Sequence, residues 1–229
     1  MKNKVISLRN NNYYVADKVR GETIITTQKI IILIHGYNVS EQGVKAAYKR
    51  FENNFNLSSN NISGLNQVID WFLWPSDKPN KINRIFSYYK TVETAKNCGK
   101  KLANYLNPIE FNYANNKPPR IILSAHYLGC RVLLEALKET QKEHKQWEIF
   151  LMAAAVPVYL IKEGELLDLK GDNTEKYNIL YSQNDLVLKI AFPPGQRLAG
   201  ELAWGQTMLN ARQGKLLNWS TCDKMNEAF

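Results

Sequence analysis

The stretch Arg120-Ile-Ile-Leu-Ser-Ala-His-Tyr-Leu-Gly129, running straight into Cys130-Arg-Val-Leu-Leu-Glu-Ala-Leu-Lys138, decides the reading of the fold. The pair Pro118-Pro119 introduces a short apolar strand over Arg120 to Ser124, and an amphipathic helix is expected from Cys130 to Gln141. Between them only Ala125 to Gly129 is left to turn the chain. A strand that passes so abruptly into a helix is half of a β-α-β unit, the repeating piece of a parallel sheet.

Outward from this segment the same alternation continues. Lys29 to Ile34 (KIIILI) is a continuous β-branched run, as expected of a strand buried on both faces. It breaks at His35-Gly36-Tyr37-Asn38, after which Ser40 can cap a helix carrying Val44, Ala47, Tyr48, Phe51 and Phe55 at helical spacing. Val68 to Trp74 reads as a strand ended by Pro75, and Val92, Ala95, Cys98, Leu102 and Tyr105 mark a helix stopped by Asn107-Pro108. Further strands are expected at Trp147 to Ala154, Tyr177 to Ser182 and Lys215 to Trp219. Two N-terminal pieces, Val5 to Arg9 and Tyr13 to Val19, suit an antiparallel hairpin at one edge. The expectation is one α/β domain over residues 1–229, with a mostly parallel sheet and helices on both faces.

The chain has 30 Lys+Arg against 21 Asp+Glu, a formal charge of +9. The basic residues are spread along it without an Arg-rich arm or an aromatic–basic RNA-binding motif, so the charge reads first as a solvated basic surface. No apolar run approaches the roughly 20 residues a bilayer-spanning helix needs, and no apolar core follows the basic start Met1-Lys-Asn-Lys. Cys98, Cys130 and Cys222 are odd in number and widely spaced, which speaks against a disulfide framework or a zinc site and for a reducing cytoplasm. No metal or cofactor is expected.

Open α/β sheets bind ligands beyond the carboxyl ends of their strands. Those ends carry His35-Gly36-Tyr37, then Ala125-His126-Tyr127-Leu128-Gly129, then Ser182-Gln-Asn-Asp185. Together with Trp74-Pro75-Ser76 and Tyr181 to Leu188, in this order and spacing, they make the chain resemble the α/β-hydrolases, most closely a bacterial branch of serine esterases and lipases with HGYN, WPS, AHSLG-R-L and YS-ND-VL patterns. The resemblance spans about Ile30 to Trp219 and implies the α/β-hydrolase fold with a small lid over Leu160 to Asn173. It puts Tyr127 at the nucleophile position of the elbow and Asp185 at the triad acid. Ala125 and Gly129 become the small residues flanking the turn, and the Leu128 and Tyr37 amides the oxyanion donors.

The pattern then departs from the family twice. A tyrosine stands where a serine is expected, and no histidine follows Asp185, although the order in this fold is nucleophile, acid, histidine. A phenol ionises near pH 10 and is a poor nucleophile at neutral pH without a base. His35 and His126 read as packed histidines of the oxyanion turn and elbow or as displaced bases, and His144 as exposed. Asp185 reads as a retained acid or as the cap of a following helix. Trp71, Trp74, Tyr88 and Tyr89 read as core or as a wall for an acyl chain. Three functions stay open: a degenerate esterase-like protein that binds a small ester or lipid-like ligand; an active carboxylic-ester hydrolase in altered form, its histidine lying in the tail that relatives place beyond Phe229; and a basic adaptor for an anionic partner.

Overall fold

The computed structural model describes residues 4–9, 15–20, 29–59, 67–77, 84–107, 120–140, 146–157, 160, 175–180, 185 and 188. Chain order is β1 (Lys4–Arg9), β2 (Val15–Arg20), β3 (Lys29–Ile34), α1 (Glu41–Ser59), β4 (Gln67–Leu73), α2 (Arg84–Leu106), β5 (Arg120–His126), α3 (Gly129–Glu139), β6 (Gln146–Met152) and β7 (Glu175–Leu180). The strands form one seven-stranded sheet in the order β2-β1-β4-β3-β5-β6-β7. Among the described residues only the β1–β2 pair is antiparallel, so the expected edge hairpin is present, and β1 joins the parallel body beside β4. The expected lid beyond Leu160 and the strand at 215–219 lie outside the described residues.

The uninterrupted apolar run of β3 has a two-sided cause. Ile30, Ile32 and Ile34 belong to the core under α2 and α3, whereas Ile31 and Leu33 pack with Val44 and Tyr48 of α1 on the opposite face. Alternation along the strand thus feeds two cores, and each buried aliphatic side chain contributes about 1.5–3 kcal/mol. Ser40 caps α1 through its hydroxyl, which accepts the Gly43 amide at 3.2 Å. Among the described residues no helix is long and apolar enough to cross a membrane.

Strand order positions the site. From β3 the chain passes through α1 to β4 on one side, and from β5 it passes through α3 to β6 on the other. The neighbouring strands β3 and β5 therefore send their carboxyl ends apart, over opposite faces, and open a crevice between them. His35-Gly36-Tyr37 and Tyr127 stand at its two lips.

Candidate active site

At the end of β5 the chain reverses within one residue. Tyr127 has φ 46°, in the left-handed region that a bulky side chain rarely occupies. Three backbone bonds hold it there. The Tyr127 amide donates to the Met152 carbonyl at 3.0 Å, and the Tyr127 carbonyl accepts from Cys130 at 3.1 Å and Ala155 at 3.2 Å. The elbow is also pressed against β3: a Cβ on Gly129 would lie 2.4 Å from the His35 carbonyl oxygen, so only glycine fits. A Cβ on Gly36 would come within 3.1 Å of the Tyr127 Cβ and 3.2 Å of His126 Nδ1. The HG turn and the elbow thus touch, and the two glycines are what let them.

The side chain of Tyr127 reaches across to Asp185. Its phenol donates to Asp185 Oδ2 at 2.9 Å, and Asp185 Oδ1 accepts the Leu188 amide at 3.0 Å. One oxygen of Asp185 thus faces the elbow and the other holds the Leu188 amide three residues on, as a capping side chain does. Burial, followed by the bond and charge of Asp185, pushes the Tyr127 phenol above its ordinary ionisation range. A nucleophilic phenol needs a shift the other way.

The two histidines have different places. His35 is fully enclosed and stacked on Trp74, with ring centroids 5.5 Å apart. The Trp74 amide donates to His35 Nε2 at 3.1 Å, so the proton sits on Nδ1, which donates to the Gly36 carbonyl at 2.9 Å. Burial and then the Arg9 guanidinium depress its pKa to about 3, and it stays neutral. It ties the His35-Gly36 turn to the end of β4. His126 packs its ring 4.1 Å from that of Tyr127 and, chiefly through burial, has a pKa lowered to about 4 despite the Asp185 charge. His144 lies outside the described residues.

Leu128 opens α3 with helical angles (φ −69°, ψ −16°), and its amide donates to no acceptor among the described residues. An amide at a helix N-terminus is one of the donors that the helix itself leaves without an intrahelical partner. Tyr37 sits on the opposite lip, half-buried, its ring edge-on to Tyr88 at 5.3 Å. Of the aromatics read as core or wall, Trp74 and Tyr88 are buried in the core, and Trp71 packs beneath α1 beside Tyr48. The Tyr89 side chain lies outside the described residues.

A support missed in the sequence is Arg9, buried at the end of β1. Its Nη1 pairs with Asp77 at 2.7 Å and its Nη2 donates to the Val39 carbonyl at 2.8 Å. The Asn38 amide donates to the Ser76 carbonyl at 3.0 Å, so the HGYN and WPS segments are fastened together. Arg9 and Asp77 are 68 positions apart, and no local pattern links them.

A strained strand–turn–helix elbow on the central strand of a parallel sheet, faced by a glycine turn on the next strand, defines a protein of α/β-hydrolase fold. The chain belongs to the family described as alpha/beta hydrolase of unknown function (DUF900), whose profile matches residues 15–203. None of the curated proteins matches it significantly.

Proposed function

We propose that this hydrolase-fold chain binds a small ester or lipid-like ligand at the elbow and does not cleave it, as a degenerate relative of the serine esterases and lipases. The observation that carries the reading is the 2.9 Å bond from the Tyr127 phenol to Asp185. In a working triad the acid orients a histidine, which takes the proton of the nucleophile. Here the longer phenol reaches the acid directly and leaves no place for an imidazole between them. Proton transfer from a phenol (about 10) to a carboxylate (about 4) is uphill by about 6 units, or about 8 kcal/mol, before any bond to carbon forms. By the family resemblance the Leu128 and Tyr37 amides would receive a ligand carbonyl. Buried free thiols at Cys98 and Cys130 support a reducing, cytoplasmic setting.

The test is incubation of the unmodified chain with a fluorophosphonate and with a short p-nitrophenyl ester. Neither labelling nor turnover above background is expected. Stoichiometric labelling at Tyr127 overturns the reading. One observation favours a second reading, an active ester hydrolase in altered form: the elbow keeps its strained φ of 46° although a tyrosine occupies it. Tyr127→Ser combined with an appended histidine-bearing tail then restores turnover of the same ester; failure to do so removes that reading.

A further inference from the structure

On the α1 side of the sheet lies a cavity of about 190 Å³. It arises from short side chains in series. Leu33 of β3 and Met152 of β6 line it, but between those strands β5 contributes Ser124, and α1 above contributes Val44 and Ala47. Gly36 adds no side chain at the strand end. Protein interiors pack to the density of organic crystals, so a space of this size is a specific feature. It adjoins the elbow crevice on the α1 side: His35, Gly36 and His126 line it, and Tyr127 is not among its described lining residues.

The lining is almost wholly apolar, with one full charge. Arg50 of α1 both lines the cavity and is exposed, which puts this residue on the solvent side of the lining, and it makes no ion pair among the described residues. An apolar cavity of about 150 Å³ accommodates a benzene-sized molecule, so this one suits a chain or ring of about six carbons. A guanidinium with unused donors at the rim selects for a carboxylate.

We propose that this cavity is a binding site for a small apolar carboxylate, whose six-carbon tail lies between α1 and the sheet and whose carboxylate pairs with Arg50. The site stands independently of the chemistry at the elbow.

Calorimetric titration of the full chain with hexanoate, 1-hexanol and hexylamine tests this. Hexanoate is expected to bind saturably, about tenfold tighter than hexanol, with hexylamine the weakest. Arg50→Gln abolishes the preference for hexanoate and leaves hexanol binding unchanged. Ala47→Leu fills the cavity and lowers the affinity for both by tenfold or more, while the melting temperature holds or rises; Ser124→Val applies the same test from the sheet side if the first variant does not fold. Absence of saturable hexanoate binding, a preference that survives Arg50→Gln, or affinities unmoved by the filling variants overturns the proposal.

Discussion

Mild acid is the perturbation that the structure makes most specific, because His35 is enclosed with no way to accept a proton at low cost. Its folded pKa is about 3 against an ordinary 6.5. Between these values the unfolded chain binds a proton that the folded chain refuses, so stability is full above pH 6.5 and falls as pH drops toward 3. Each unit is worth about 1.4 kcal/mol, so His35 alone removes about 3 kcal/mol between pH 7 and pH 4.5. That is a large share of the roughly 5–15 kcal/mol by which domains are stable. His126, with a folded pKa of about 4, acts in the same direction over a narrower range. Urea unfolding followed from pH 7.5 to 4.5 reads the slope, with His35→Gln as the comparison. The variant starts less stable, since the Trp74 amide loses its fitted acceptor, but its stability declines less steeply below pH 6.5. Equal slopes for the two proteins, or a flat profile for the unmodified chain, would refute the assignment of His35 as a neutral structural group.

Three substitutions probe the packing around the elbow. Gly129→Ala drives a methyl into the His35 carbonyl, which is backbone and cannot swing away, and costs at least about 3 kcal/mol or prevents folding; a melting temperature within a few degrees of the parent contradicts this. Arg9→Met strands the partly buried Asp77 and costs about 3 kcal/mol by urea unfolding, much of it recovered in the double variant Arg9→Met/Asp77→Leu. Equal stability of Arg9→Met and the parent shows that the brace is idle. Tyr127→Phe loses one bond to a carboxylate that keeps its Leu188 partner, so about 1–2 kcal/mol is expected in the same assay, and no loss contradicts the bond.

The sheet was legible in the sequence wherever a strand was buried on both faces. After Lys29, the run IIILI had no polar position because each face of β3 meets a helix, and IILSA of β5 was bounded by prolines and a turn. Boundaries were less legible. The helix anchored on Val92 begins at Arg84, since its first two turns carry aromatic and polar residues without a clean stripe. Strand β5 continues through His126, two residues past the expected end, because the elbow turns only at Tyr127. The hairpin at the N-terminus was legible from its short strands, but not that β1 would extend the parallel sheet beside β4, which is a matter of long-range register.

For the site, the order of motifs along the chain located Tyr127, Asp185 and the HG turn at the strand ends. What no spacing could supply was the direction of the phenol, set by a contact across 58 positions. The same limit hid Arg9, whose partners come from the ends of β3 and β4. The histidines show the converse case, where burial decides chemistry. His35 sits in a motif that reads as functional, yet a donating amide and a stacked indole fix it as a neutral strut.

In the proposed function Tyr127 is a hydrogen-bond donor to Asp185 and not a nucleophile. This is tested most directly by following the tyrosine ζ-carbon resonances through an alkaline titration, with Tyr127→Phe to assign the signal. The Tyr127 phenol is expected to stay protonated beyond the pH at which an exposed tyrosine ionises, and Asp185→Asn to move its titration back down. A Tyr127 signal that titrates at or below the ordinary tyrosine range would contradict it and return the residue to the role of an activated nucleophile.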